Sequence, residues 1–348
     1  MFSAPGLGLA ATLASGLLQG SMLTPMKYLR KWRWENIWLI FSASGYFLLP
    51  WFVAFATVPH LSAVYGSTSA AVLLRTGLFG FGWGCAAVLF GLGIELIGLA
   101  LGYAIILGLG TSVGSMVPLL TLHPEKLGTP AGLGTISGVV MLLVSVTLLS
   151  VAGKKREAAL HQAGGEPSGP DSRAGASKRT FLKGLVICIL CGVLNPLINF
   201  ALAYGAEIQS QAIQYGASPA SAANSIWVVV GSAGFIPNLI YCAYLLSSNS
   251  TWRVFPLANP SYWAVVPSMG FMWIFGTVLY GVGANLLGPL GAVIGWPLVM
   301  CCVILTATFW GFLAGEWKGV RGSPIRIMVA GLAILVAAIF VLGLSSRF

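Results

Sequence analysis

Long runs of apolar residues, broken by short polar connections, dominate this chain. Val139-Val140-Met141-Leu142-Leu143-Val144 and Leu332-Ala333-Ile334-Leu335-Val336 are apolar on every side. A surface helix of a soluble protein would keep a polar face at period 3.6, and a membrane-barrel strand would alternate at period two. Neither pattern describes these runs. Helices in lipid do, because each satisfies its own backbone polar groups and needs about 20 residues to cross. Ten spans are predicted, near residues 5–25, 36–58, 71–93, 96–120, 132–152, 181–205, 220–247, 261–284, 290–315 and 325–345. The third and fourth, and the eighth and ninth, are joined so tightly that each pair reads as a helical hairpin.

Composition strengthens this reading. Charged residues make up 7% of the chain, against about 25% in soluble proteins. So little charge cannot cover a soluble fold of 348 residues. The net charge of +10 lies in the connections. Lys27, Arg30, Lys31 and Arg33 follow span one. Lys154, Lys155, Arg156, Arg173, Lys178, Arg179 and Lys183 follow span five. Arg253 follows span seven, and Lys318, Arg321 and Arg326 follow span nine. Fifteen of the eighteen Lys and Arg therefore share one side, leaving Arg75, Lys126 and Arg347 on the other. The positive-inside rule then makes the odd-numbered connections cytoplasmic and both termini external. No basic run is interleaved with aromatics in a soluble domain, so no nucleic-acid partner is expected. Residues 1–26 are uncharged, whereas a secretory signal carries positive charge ahead of its apolar core. The first span is therefore expected to stay in the protein.

A sequence repeat organises the spans. Residues 80–98, beginning Gly80-Phe81-Gly82-Trp83, align without a gap on residues 270–288, beginning Gly270-Phe271-Met272-Trp273, and nine of the 19 positions are identical. Ser15-Gly16-Leu17-Leu18-Gln19 resembles Cys191-Gly192-Val193-Leu194-Asn195. Ile37-Trp38 with Ser42-Ala43-Ser44-Gly45-Tyr46 resembles Ile226-Trp227 with Gly231-Ser232-Ala233-Gly234-Phe235. The order is the same in both halves. Residues 1–152 form a first five-helix repeat, and residues 181–348 a second. Residues 153–180, which include Gly164-Gly165-Glu166-Pro167-Ser168-Gly169-Pro170, have the composition of a flexible linker and are placed in the cytoplasm. Because five is odd, the second half enters the membrane from the opposite side. The expected fold is all-α, with ten transmembrane helices in a five-plus-five inverted repeat, an architecture that suits secondary transporters.

Candidate chemistry is sparse. Trp83, Ala87 and Phe90 share one helix face, as do Trp273, Thr277 and Tyr280 in the second half. Such faces either pack helices or offer aromatic rings to the C–H faces of a sugar. Asn195 and Asn199 stand one turn apart, and Gln19 is the repeat mate of Asn195. Buried amides in lipid either join helices or bind hydroxyl groups. Gln19, Trp83, Asn195, Asn199, Trp273 and Tyr280 are the candidate substrate-binding residues. Glu95 lies inside the repeat at the tight cytoplasmic hairpin, and Glu207 near the outer end of span six. A desolvated carboxylate can carry a proton, so Glu95 and then Glu207 are the candidates for coupling. No carboxylate lies in the middle of any expected span, which keeps a sugar carrier without proton coupling open. The six cysteines sit in apolar stretches and read as small buried residues. Cys188-x-x-Cys191 has no accompanying histidine, since His60, His123 and His161 fall in connections. No metal, no cofactor and no enzymatic activity are expected, because no nucleophile, acid and base converge. The Gly-rich phosphate loop of an ATP-driven pump is also missing from the sequence.

Met26-Lys27-Tyr28-Leu29-Arg30-Lys31-Trp32-Arg33-Trp34-Glu35-Asn36-Ile37-Trp38 resembles the basic first cytoplasmic loop of the L-rhamnose–proton symporters, a family of the drug/metabolite transporter superfamily. Leu48-Leu49-Pro50-Trp51, Phe79-Gly80-Phe81-Gly82-Trp83-Gly84 and Gly315-Glu316-Trp317 are similar to later parts of that family's pattern. The resemblance runs in order along nearly the whole chain. It implies a secondary active transporter in a bacterial inner membrane, with periplasmic termini, that takes up L-rhamnose with protons by alternating access. The partners expected are a small sugar, a proton and the bilayer, with the chain a monomer. A metabolite or drug exporter of the same superfamily is the other reading.

Overall fold

The computed structural model describes residues 4–162, 178–257 and 259–347, and the regular structure among them is helical. Ten helices are long and apolar enough to cross a membrane: Pro5–Tyr28, Trp34–Thr57, Ala70–Ile97, Leu101–Leu122, Pro130–Leu160, Arg179–Tyr204, Asn224–Ser248, Tyr262–Leu286, Gly291–Leu313 and Ser323–Ser345. They are called spans one to ten. They match the ten apolar runs because lipid sets a minimum length that each run meets.

Local departures from regular helix have identifiable causes. Span two contains a π-helical stretch, Ala43–Leu48. Pro50 has no N–H to offer the Tyr46 carbonyl four residues back, and the ladder slips by one residue, with the Leu49 amide reaching Ser44. Span six is interrupted at Asn195-Pro196, between helices Lys178–Leu194 and Leu197–Tyr204. Spans three and four meet at Gly98, whose φ of 88° is a conformation open to glycine and costly for other residues. Glu95 therefore lies in the last turn of span three, ahead of the hairpin turn. The fifth helix runs on to Gln162, beyond the expected end at 152. Residues 154–160 are Lys-Lys-Arg-Glu-Ala-Ala-Leu, strong helix formers with no Gly or Pro among them. Gly164–Pro170, the core of the expected linker, falls outside the described residues.

Glycines govern how the spans approach one another, because lipid offers no hydrophobic drive between helices and close van der Waals packing must serve instead. Span one lies along spans eight and nine, and span six along spans three and four. Span three packs on seven and span two on eight. Spans five and ten pair, and spans four and nine meet. Gly8 packs on Leu286 and Leu287, and Gly184 on Leu96 and Ile97. Gly283 packs on Thr12, and Gly93 on Cys188. Gly16 meets Val299, and Gly192 meets Leu109. Gly45 meets Gly270, and Gly234 meets Gly80. The largest buried cluster joins spans two, three, seven and eight, and a second joins four, five, nine and ten.

Candidate functional site

Trp83 of span three and Trp273 of span eight face each other. Their rings stack with centroids 5.3 Å apart and planes 21° from parallel. Tyr46, from the π-helical stretch, sits 4.7 Å from each of them. All three side chains are buried. A separation of 5.3 Å leaves no room for a sugar between the two indoles, so in this arrangement they pack on each other. Tyr46 was not among the sequence candidates. Its signal was Pro50 four residues on, which frees a carbonyl and rotates the helix locally.

Asn199 and Tyr280 come together on the adjoining side of span eight. The Tyr280 hydroxyl donates to Asn199 Oδ1. Asn199 Nδ2 donates to the Gly114 carbonyl at 2.8 Å and the Ala292 carbonyl at 3.1 Å, which ties span six to spans four and nine. The Gly114 carbonyl needs this donor because Pro118, four residues later, has no N–H. The same logic operates in span nine. Pro297 leaves the Val293 carbonyl without its helical donor, and Ser115 Oγ supplies one at 2.6 Å. Asn199 is fully buried with its amide occupied. A proline four residues after a span carbonyl is the sequence signal that could have assigned Asn199 this joining role.

Gln19 and Asn195 are half-buried and do not touch this network. Gln19 Nε2 donates to Ser15 Oγ at 3.0 Å, and its side chain lies against Gly276 of span eight. Asn195 makes no side-chain hydrogen bond among the described residues and lies beside Gly110 of span four. Glu95 is exposed at the end of span three. Glu207 accepts from the Ser69 amide at 2.6 Å and from Ser69 Oγ at 3.1 Å. It thereby occupies donors at the start of the span-three helix, where an anion is favoured. The structure thus groups Trp83 with Trp273 and Asn199 with Tyr280, and leaves Gln19, Asn195, Glu95 and Glu207 as separate features.

Two carboxylates have roles that the sequence did not disclose. Glu35, at the start of span two, is buried and accepts from Asn249 Nδ2 at 3.0 Å and Thr251 Oγ1 at 2.9 Å, which anchors the connection after span seven. Glu316, after span nine, forms ion pairs with Lys27, at the end of span one, and with Arg156 at 3.3 Å, near the end of span five. The Arg156 guanidinium also lies 5.3 Å from the centre of the Trp317 ring. Partial burial pushes the Glu316 carboxyl up, but the hydrogen bond and charge of Lys27 and the charge of Arg156 outweigh it and hold the group below the ordinary glutamate range. Its contribution to stability is therefore complete above the unfolded pKa of about 4.3 and lost as pH falls through the lower folded value. Because the pair is partly exposed, Glu316→Gln is expected to cost no more than about 1 kcal/mol. The difference in melting temperature between parent and variant should be steady at neutral pH and shrink to nothing in acid. A difference that grows as pH falls below 4 would contradict this assignment.

These features define a polytopic membrane protein in which, among the described residues, Asn199, Tyr280 and Ser115 join one span to another. The family profile described as L-rhamnose-proton symport protein (RhaT) matches residues 2–346, and the chain belongs to that family. It is similar to proteins named L-rhamnose-proton symporter from Yersinia pestis (strain Pestoides F) and Yersinia pseudotuberculosis (serotype O:1b, strain IP 31758), at 28% identity over 346 residues, covering 97% of each chain. A protein of the same name from Cronobacter sakazakii (strain ATCC BAA-894) is 29% identical over 352 aligned positions, covering 99% of each chain.

Proposed function

We propose that this chain takes up L-rhamnose with protons by alternating access, across a bacterial inner membrane with both termini in the periplasm. Family membership and the names of its relatives support the substrate and the coupling. The observation that carries the mechanism is that the helix contacts survive exchange of the two halves. Adding 176 to positions in span one, 189 in span two and 190 in spans three and four gives their sequence mates. That shift turns Gly8 against Leu286 and Leu287 into Gly184 against Leu96 and Ile97. It turns Thr12 against Gly283 into Cys188 against Gly93, and Gly16 against Val299 into Gly192 against Leu109. It turns Gly45 against Gly270 into Gly234 against Gly80. Trp83 and Trp273 are mates of each other and meet face to face, as residues beside a two-fold axis would. Two inverted five-helix repeats, 1–152 and 181–348, joined by 153–180 in the cytoplasm, account for these pairs, and the same plan suits membership of the drug/metabolite transporter superfamily.

Gln19, Trp83, Asn195, Asn199, Trp273 and Tyr280 are proposed to bind the sugar, with the amides serving hydroxyls and the rings its apolar face. Stacked Trp83 and Trp273 must part for this to happen. Asn195, with no side-chain partner among the described residues, is the readiest of the amides to take a ligand hydroxyl. Glu95 is proposed as the first coupling residue and Glu207 as the second. A sugar carrier without coupling is the second reading, favoured by the lack of a carboxylate in the middle of any span.

Counterflow of labelled L-rhamnose in proteoliposomes tests the substrate, and an imposed pH gradient tests the coupling. Exchange with accumulation driven by the gradient is expected. Exchange without accumulation selects the second reading, and no exchange rejects the substrate. Glu95→Gln is expected to abolish gradient-driven accumulation and preserve exchange. Accumulation equal to the parent's would remove Glu95 from the coupling step and leave Glu207 to be tested.

A further inference from the structure

The two halves differ where spans one and eight, and their counterparts six and three, reach opposite faces of the bundle. On the face away from the basic connections, the ends of spans three, four and six are clamped together. Arg75 Nη2 donates to the Tyr204 carbonyl at 2.9 Å, and the guanidinium lies 5.8 Å from the centre of the Tyr204 ring. The Tyr204 hydroxyl hydrogen-bonds Thr121 of span four. Phe79, one turn below Arg75, packs its ring at 5.9 Å from Phe200 and 6.1 Å from Tyr204, which leaves this corner filled with aromatic rings.

The sequence mate of Tyr204 is Tyr28, and that of Arg75 is Val265. Between them, on the basic face, lies a cleft of about 460 Å³ lined by Tyr28, Leu29, Tyr262, Val265 and Ser268. Tyr28 is 71% exposed. Of these two equivalent corners, one is thus shut by a cation, a hydroxyl and edge-on and tilted aromatic rings, and the other holds the cleft. A valine stands where the cation would be. Of the clamp residues only the tyrosine recurs in the second corner, and equivalent corners that differ in this way suit a protein resting in one access state, since perfect symmetry would open or shut both faces together.

We infer that Arg75, Tyr204 and Thr121 form the gate on the face away from the basic connections, shut in this structure, and that the cleft between Tyr28 and Val265 is the open mouth on the other face. The inference rests on the transport reading above. Arg75 is a positioning residue: it holds the Tyr204 backbone and ring over Phe79 and does not itself meet the sugar.

The test uses Phe79→Cys, which places a thiol beneath the clamp, in membrane vesicles exposed to an impermeant maleimide on the face away from the basic connections. Labelling at position 79 is read by peptide mass mapping, so the native cysteines can remain. Slow labelling is expected with the clamp intact. Arg75→Ala is expected to raise the rate by roughly tenfold or more, the population shift that follows from losing a hydrogen bond to a charged group. Thr121→Val, which removes only the hydroxyl partner of Tyr204, should raise it less. Val265→Arg installs the missing cation at the open mouth and should also raise the rate at position 79 while Arg75 is untouched, an effect that local loosening cannot produce. Arg75→Ala labelling at the parent rate with an unchanged melting temperature would overturn the gate. If Arg75→Ala does not fold, unchanged rates in Thr121→Val and Val265→Arg would overturn it. None of these readings needs a sugar, so the gate can fail while L-rhamnose exchange persists, and exchange can fail while the gate stands.

Discussion

Gly84→Leu is expected to remove the folded protein from the membrane. A Cβ at Gly84 would lie 2.2 Å from the Gly234 carbonyl oxygen and 2.7 Å from its Cα. Both are backbone atoms of a packed helix, so neither can swing aside as a side chain would. Spans three and seven would have to separate. That separation breaks more than a contact surface, because Asn238 of span seven donates to the Gly84 and Gly234 carbonyls at 3.2 and 2.8 Å. It also accepts from Trp38 Nε1 at 2.8 Å, which brings span two into the same joint. Overpacking alone costs about 1–3 kcal/mol, and a polar group left unpaired by the separation a further ~1–3 kcal/mol. The sum, about 2–6 kcal/mol, reaches the lower end of the stability of folded proteins, about 5–15 kcal/mol. Recovery of a single species by size-exclusion chromatography in detergent, with its melting temperature, measures the effect. Gly91→Leu is the control. It lies on the same helix, nothing stands within 4 Å of its Cβ position, and parent-like behaviour is expected. Equal recovery of Gly84→Leu and Gly91→Leu would mean that spans three and seven do not pack backbone to backbone at Gly84 and Gly234.

The ten helices were legible in the sequence because lipid imposes one simple demand on each, a length of apolar residues. What the apolar pattern could not convey is where each helix bends, since lipid-facing and protein-facing positions are both apolar. The π-helical stretch at Tyr46 comes from Pro50, four residues on, and the break at Asn195-Pro196 from the proline within it, local rules that hydropathy ignores. The extension of the fifth helix to Gln162 was obscured because Lys154, Lys155 and Arg156 end an apolar run without ending a helix. The repeat made Trp83 and Trp273 equivalent, but whether equivalent residues touch depends on how far each helix is rotated about its own axis. Asn199 was legible as a buried amide. That its partners are carbonyls stripped of their donor by Pro118, and the hydroxyl of Tyr280, required three helices to be placed at once. The ion pairs of Glu316 with Lys27 and Arg156 join positions 289 and 160 residues apart, respectively, and sequence spacing carries no trace of them.

Trp273→Ala is expected to reduce L-rhamnose exchange by at least about tenfold while leaving the protein folded. In the closed arrangement the Trp273 ring touches Trp83 and Tyr46, so its removal costs packing as well as any ligand contact. Those two roles separate in the measurement. Aromatic contacts of this kind are worth about 0.5–1.5 kcal/mol beyond area burial, and 1.4 kcal/mol corresponds to a factor of about ten in affinity. Trp273→Phe keeps a ring for both roles and should retain most of the exchange. If the indoles must part to admit the sugar, L-rhamnose should change the tryptophan emission of the parent, because stacking between Trp83 and Trp273 is lost. The change should be smaller in Trp273→Phe even though ten of the other eleven tryptophans lie outside this pair. Asn195→Ala should weaken binding by roughly 0.5–1.5 kcal/mol, one hydrogen bond to a hydroxyl, without altering that emission change at saturating sugar. Sugar affinity in detergent for the parent and the three variants, with a thermal melt of each, distinguishes the outcomes. Equal affinity in Trp273→Ala and parent, with both melting alike, would assign the stacked pair to packing alone and place the sugar elsewhere in the bundle.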